Sequence, residues 1–240
     1  MTKVKNNLAA LLLGAGILLG LVALGILMGS AVDKFKGYER TVTVKGLAER
    51  EVPADIVIWP IQFTAASNDL SDLYADIAAS SERIKRFLGE QGIAATAVSV
   101  SMPAVTDKSA QQYGGGQRPE FRYTALQTVT VYSGQVDKVR AAMDRLAELG
   151  REGIAFSQNN YQGQTEYIFT GLNQLKPQMV EQATVEARRV AQKFAEDSDS
   201  VLGKIRRASQ GQFSIRDRDK NNPHIKKVRV VSTIEYYLSD

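Results

Sequence analysis

The hydrophobic pattern begins with an unbroken run of uncharged residues near the start of the chain, from Leu8 to Val32. Coiled as a helix, its most apolar part, Leu8 to Met28, would be about as long as the hydrocarbon core of a bilayer is thick, roughly 30 Å. A helix of this length in a soluble protein normally carries a polar stripe, and this run has none. The pattern therefore predicts a membrane-spanning helix over Leu8 to Met28, with residues 1–36 as anchor and short flank.

Two lysines flank the run on each side, so the charge bias that sets orientation is weak. Because so little chain precedes the run, we expect the N-terminus inside and residues 37–240 exported as one domain. The alternative is a cleaved signal peptide, with Gly29-Ser30-Ala31 as a small-residue cleavage site. The apolar region exceeds the roughly 7–15 residues usual in such peptides, which favours an uncleaved anchor.

Alternating apolar and polar residues after the anchor predict strands. Thr41 to Val44 alternates, a turn is predicted over Gly46 to Glu51, and Val52 to Ala65 follows as a strand with apolar groups on both faces. Within it, Pro60 removes one backbone donor and indicates a bulge or an unpaired side. Further strands are predicted over Ala97–Val105, Phe121–Tyr132, Ile154–Phe169 (with a turn near Gly163), Lys204–Ile215 and Ile225–Leu238.

Apolar residues at helical spacing predict three helices. The first follows a cap at Asn68 or Asp69, the second covers Gln135 to Leu149, and the third has Pro177 in its first turn. The packed stripe of the third helix is predicted to be Val180, Ala183, Ala187, Ala191 and Phe194. Its alanines, at every fourth position, let the helix lie close on a sheet or on another helix. The fold class is therefore α+β: an N-terminal transmembrane helix followed by mainly antiparallel sheet packed with three helices, in the order ββ-α-ββ-α-β-α-ββ.

Composition and charge narrow the functions open to the chain. Cysteine is absent, which excludes disulfides, thiolate metal sites and cysteine nucleophiles, and the formal charge is +4. The C-terminal part is the more basic, and its cations could contact an anionic lipid or polymer, or could simply be solvated faces of strands and turns. No basic motif interleaved with aromatic residues suggests nucleic acid. The candidate surface contacts are Arg206, Arg216, Arg218 and Lys226.

The search for catalytic chemistry finds no site. His224 is the one histidine, and since it lies in a charged turn without a nucleophile-elbow sequence, we interpret it as a solvated turn residue. Gly114-Gly115-Gly116 is not followed by Lys-Ser/Thr, and Asp197-Ser198-Asp199 lacks the spacing of a calcium loop. The sequence predicts no catalytic residue, no cofactor and no metal site, and it indicates no particular small-molecule ligand.

Several segments, in order, resemble the SIMPL domain family, the domain of unknown function 541. Thr41-Val42-Thr43-Val44-Lys45-Gly46 and Val52-Pro53-Ala54-Asp55-Ile56 are similar to its opening hairpin. The alanine-rich helix of the family is matched by Ala183, Ala187, Arg188 and Ala191. The strand that follows that helix is matched by Ser209-Gln210-Gly211. The resemblance covers Arg40 to Leu238, with Asp199 standing where a glycine often follows the long helix.

The resemblance implies a bacterial cell-envelope protein without established enzymatic activity, and it supplies no catalytic residues. Some members form large homo-oligomers, and members are associated with envelope or oxidative stress. The first hypothesis is therefore a non-enzymatic single-pass inner-membrane protein that self-associates in the periplasm, through Tyr113 to Pro119 and the exposed edges of the terminal strands. The alternative is a binding module for an anionic envelope component, and an uncharacterised hydrolase is less favoured.

Overall fold

The computed structural model describes residues 14, 16–28, 40–111, 120–157 and 164–239. The chain divides into two compact units. Unit 1 comprises Met1–Glu49, Pro177–Phe213 and Arg229–Asp240, and unit 2 comprises Arg50–Lys176 and Ser214–Val228. The loop Tyr113 to Pro119, with its three glycines, lies outside the described residues.

Residues 16–28 are helical and exposed. None of the helices within the described ranges is long and apolar enough to span a membrane. The spanning helix predicted over Leu8 to Met28 is therefore not confirmed, and residues 8–13 and 15 of that prediction lie outside the described part of the chain.

From residue 40 onward, the described residues form ten strands and four α-helices. The strands are β1 (Thr41–Pro53), β2 (Ile56–Ser67), β3 (Val98–Val100), β4 (Ala104–Asp107), β5 (Tyr123–Ser133), β6 (Ala155–Phe156), β7 (Glu166–Ile168), β8 (Val201–Gln210), β9 (Ser214–Asp217) and β10 (Ile225–Ser239). The helices are α1 (Leu70–Glu90), α2 (Val136–Asp144), α3 (Ala147–Arg151) and α4 (Leu172–Asp197). The predicted α+β class with antiparallel sheets is confirmed.

Unit 2 is built on a sheet of order β3-β5-β2-β6, in which β4 also pairs with β5 and β7 with β2. The β2–β5 register runs without a shift from Val57 opposite Ser133 to Ser67 opposite Tyr123. On the other side of β2, Pro60 falls between the residues that pair with β7 and those that pair with β6. The missing donor of this proline thus falls where no described strand pairs with that side of β2, and the β2–β5 register has no bulge there.

Helix α1 covers one face of that sheet because its apolar residues recur at helical spacing. Leu73, Ile77, Ile84 and Leu88 are buried against the core residues of β2 and β5. Asp69 caps the helix as predicted, since its Oδ1 accepts hydrogen bonds from the backbone N–H of Ser71 at 2.7 Å and of Asp72 at 3.1 Å.

In unit 1, α4 lies close on the β1–β10–β8 sheet through small residues. Ala187 and Ala191 are fully buried with Val44, Ile234 and Tyr236. The alanines of the predicted stripe are therefore buried as expected, but Phe194 does not belong to it, because its side chain is 55% exposed. The turn predicted at Gly46 to Glu51 is wrong, because β1 runs unbroken from Thr41 to Pro53. Gly46 is needed for the approach of α4, whose backbone leaves no room for a Cβ.

Four other element predictions need correction. The structure divides Ala97–Val105 into β3 and β4, and Lys204–Ile215 into β8 and β9. The helix predicted over Gln135 to Leu149 breaks at Arg145 into α2 and α3, which gives four helices and not three. Helix α4 begins at Leu172, so Pro177 lies inside it and not in its first turn. Periodicity cannot detect such short interruptions, because the apolar residues on either side keep the same spacing.

Candidate functional site: the exposed edge strand β8

Strand β8 lies at the edge of its sheet, beside β10 and with no other described strand as a neighbour. Edge strands present unpaired backbone N–H and C=O groups that can pair with another chain. Two apolar side chains of β8 are also exposed, Val201 by 60% and Ile205 by 48%. Apolar side chains on an unpaired edge favour a protein contact there.

The register shows which backbone groups of β8 face away from β10. The Gly211 N–H donates to the Val231 carbonyl at 2.8 Å, and the same register places Gln210 opposite Ser232 and Ala208 opposite Ile234. Backbone groups of successive residues point to alternate sides of an antiparallel strand. Ala208 and Gln210 therefore direct their backbone donors and acceptors outward.

A β-bulge limits the regular part of this edge. Glu235 is opposite Arg207 and Tyr236 is opposite Ile205, so Arg206 is the extra residue. Bulges and cations are two devices that limit unwanted edge pairing. The stretch from Arg207 to Gln210 remains the regular segment available for pairing.

The four cations predicted to contact an anionic surface have different surroundings. Arg206 donates from Nη1 to Glu235 Oε1 at 2.9 Å. Arg218 donates from Nε to Asp219 Oδ2 at 2.9 Å. Lys226 is only 7% exposed, and its Nζ is paired with Asp217.

Arg216 on β9 is the exposed member of the set that makes no ion pair with another described residue. Arg206 belongs to unit 1 and the other three cations to unit 2. Because Arg206, Arg218 and Lys226 each have a carboxylate partner, the free positive charge of the set is smaller than the sequence suggests. The contact with an anionic surface stays a prediction.

His224 lies in the turn before β10, as the sequence predicts, but it is half-buried and not fully solvated. Its ring meets the ring of Tyr167 edge-on, with centroids 6.0 Å apart, and its backbone carbonyl accepts from the Ala54 N–H at 2.8 Å. Burial, followed by the nearby cations Arg140 and Arg218, lowers the pKa of His224. The sequence could not place this ring, because its neighbours come from distant segments.

Two further pKa shifts belong to unit 2. The Arg218 guanidinium holds the pKa of Asp219 at about 2, and burial raises the pKa of Tyr167. Within the described ranges, no group of three or more His, Asp or Glu residues could hold a metal ion.

The sequence predicts exposed edges for both terminal strands, but of these two only β8 lies at an edge, because β10 lies between β1 and β8. Association through the β8 edge stays a prediction. The side chains of Ala208 and Gln210 do not mark them as contact residues. They are candidates because strand order and register direct their backbone groups outward. Arg207 and Glu235, which face each other across β8 and β10, were also missed. The repeated basic residues of β8 were the one signal that could have drawn attention to Arg207.

Comparison with known proteins places the chain in a family. The family model described as a protein of unknown function (DUF541), SIMPL, matches residues 42–232. No curated protein matches the chain. The matched range includes both units and most of the described strands. The chain therefore belongs to the SIMPL (DUF541) family.

Proposed function

We propose that this protein is a non-enzymatic, membrane-anchored component of the bacterial inner membrane that self-associates in the periplasm. The open edge of β8, with its exposed Val201 and Ile205, is the observation on which self-association depends. We extend the proposal to a role in envelope or oxidative stress on the family resemblance alone.

The proposed anchor is the uncharged segment from Leu8 to Val32, with the N-terminus in the cytoplasm. Support comes from the large apolar side chains described over 16–28, each of which is more than half exposed. So many exposed leucines and isoleucines are costly in water and favourable in hydrocarbon. A reporter enzyme fused after Asp240 tests the topology, with activity expected outside the cytoplasm. Cytoplasmic activity would contradict the envelope assignment.

The proposed contact is an antiparallel pairing of two β8 strands about a two-fold axis at Ala208. This register puts Arg207 opposite Ser209 and Arg206 opposite Gln210 of the second copy. No cation then faces a cation directly across the pair, where like charges destabilise a sheet. It also joins the backbone groups of Ala208 and Gln210, which point away from β10.

A single cysteine tests this register, because the natural chain contains none. Hydrogen-bonded residues across an antiparallel pair have Cα atoms about 5.5 Å apart, within the roughly 4.4–6.8 Å that a disulfide requires. The full chain carrying Ala208→Cys should give a disulfide-linked dimer under mild oxidation, in detergent micelles. Ser99→Cys, on the exposed strand β3, is the matched control and should stay monomeric on a non-reducing gel.

Light scattering of the full chain in detergent measures the association itself. We expect an oligomer for the natural chain and for Ala208→Ser, and a shift to monomer for Ala208→Pro, which removes an outward donor. A monomeric natural chain at high protein concentration would overturn the proposal. Oligomers that persist in Ala208→Pro, without cross-linking of Ala208→Cys, would assign association to another surface.

The second candidate function is a binding module for an anionic envelope component, supported by the exposed and unpaired Arg216 among the described residues. Retention on anionic vesicles that weakens with salt would support it, since exposed charges are screened. Equal retention of Arg216→Gln would count against it. An uncharacterised hydrolase is less favoured, because the sequence has one histidine and no recognisable nucleophile motif.

A further inference from the structure

A second feature of unit 1 lies on the outer face of its sheet, opposite the face that α4 covers. It is a shallow pocket of about 390 Å³, lined by Thr43, Arg207, Ser209, Thr233 and Glu235. The register makes Ser209 and Thr233 one cross-strand pair and Arg207 and Glu235 the next. Three adjacent strands therefore contribute polar side chains to one place.

The polar groups of this pocket are largely unused within the described structure. The three hydroxyls and the Arg207 guanidinium make no side-chain hydrogen bond or ion pair with another described residue. Glu235 accepts from Arg206 through Oε1 at 2.9 Å, which leaves Oε2 available. The charges of the lining residues Arg207 and Glu235 balance, and Arg206, which is paired with Glu235, adds one positive charge beside the pocket.

This set of groups matches a particular ligand chemistry. A guanidinium with free N–H groups binds a carboxylate or phosphate in a bidentate manner. Hydroxyls both donate and accept, and the free carboxylate oxygen accepts from ligand hydroxyls. A simple inorganic anion would use the arginine and leave the remaining groups unpaired, whereas a sugar that carries an acidic group would use all of them.

We propose that this pocket binds an anionic monosaccharide unit, with its carboxylate or phosphate on Arg207 and its hydroxyls on Thr233, Ser209 and Glu235. A volume of about 390 Å³ lies within the range of small-molecule sites, roughly 300–1,000 Å³. The pocket uses side chains on the sheet face, whereas self-association uses backbone groups of the edge. In the proposed pairing Arg207 lies opposite Ser209 of the second copy, so these two pocket side chains border the paired edge.

Saturation-transfer NMR on the full chain in detergent micelles, titrated with D-glucuronate, tests the proposal. We expect saturable binding that Arg207→Gln weakens about 10-fold or more, as for loss of a charge-assisted hydrogen bond. Arg86→Gln, an exposed arginine on α1, is the matched control and should bind like the natural chain. Absence of saturable binding, or equal loss in both variants, would overturn the proposal.

Three other ligands show which chemical groups of glucuronate the pocket recognises. Glucose 6-phosphate should compete with glucuronate if the site takes either acidic group, and failure to compete would restrict it to sugar acids. Acetate and glucose should each bind far more weakly, because each supplies half of the recognised chemistry. Acetate binding as tightly as glucuronate would reduce the site to a simple anion contact and overturn sugar recognition.

A second variant distinguishes lost contacts from lost folding. Thr233→Val keeps the shape of the side chain and removes one hydroxyl, so it should weaken glucuronate binding while the thermal unfolding midpoint stays close to that of the natural chain. Unchanged binding in this variant would contradict a role for Thr233. Ala208→Pro should retain glucuronate binding even if it abolishes the oligomer.

Discussion

Gly46 on β1 and Ala183 on α4 approach so closely that a Cβ built on Gly46 would lie 1.8 Å from the Ala183 carbonyl oxygen. No side chain fits there, since the obstruction is helix backbone and cannot rotate away. Gly46 therefore sets the distance at which α4 lies on the sheet. The fully buried Ala187 and Ala191 are small enough to permit the same distance.

We expect Gly46→Ala to destabilise the protein by about 3 kcal/mol, the upper range for forced overpacking. Gly89→Ala is the matched control, because Gly89 lies in α1 with nothing within 4 Å of its Cβ position. It should be neutral or stabilising by up to ~1 kcal/mol, as alanine favours helix. Urea unfolding measures both, and equal stability of the two variants would contradict the close approach.

Asp199 has a φ of 48°, in the left-handed region just after α4. This conformation is costly for residues with a Cβ and free for glycine. Asp199→Gly should therefore raise the free energy of unfolding by roughly 0.5–1 kcal/mol, and Asp199→Ala should lower it. A lower unfolding midpoint for the glycine variant would show that the aspartate side chain matters more than the backbone strain.

The Tyr236 hydroxyl is buried without a hydrogen-bond partner among the described residues, and burial raises its pKa. Because an unsatisfied buried hydroxyl costs about 1–3 kcal/mol, Tyr236→Phe should be neutral or stabilising. Tyr236→Ala, which removes the ring from the α4 interface, should destabilise by about 3–5 kcal/mol. Marked destabilisation by the phenylalanine variant would indicate a partner for the hydroxyl.

The lowered pKa of His224 predicts a pH dependence of stability. The folded state holds this proton more weakly than the unfolded state, whose histidine titrates at about 6.5. The contribution of His224 to the free energy of unfolding is therefore fully present above that pH. It is lost as the pH falls below it, towards the folded-state pKa. Melting curves between about pH 7.5 and 5 should show this loss in the natural chain and a smaller one in His224→Gln. Identical profiles would contradict the prediction.

Sequence patterns predicted where helices and strands lie better than which of them pack against each other. The cap at Asp69 and the alanine stripe of α4 are local features, and both are confirmed. Gly46 was assigned to a turn, because a glycine in a polar stretch is typical of turns. The glycine is required by the close approach of α4, which is distant in the chain, so no local pattern could indicate it.

For the candidate site, too, the sequence predicted local properties but not which residues lie together. The sequence indicated that the terminal strands have exposed edges and that the C-terminal part is basic. It could not show that Arg206 and Lys226 have acidic partners on neighbouring strands, nor that Arg207 faces an open pocket. Pairing of charges depends on strand register, which a single sequence does not contain.

The sequence alone determined the family, through the order of its matching segments. It also determined the α+β class and most of the helices and strands, because the side-chain period of a segment reports its own conformation and its buried face. Only the tertiary structure decided that β10 lies between β1 and β8 and that β8 is left at the edge. Such neighbours are chosen by packing between segments distant in the chain, and periodicity within one segment carries no information about them.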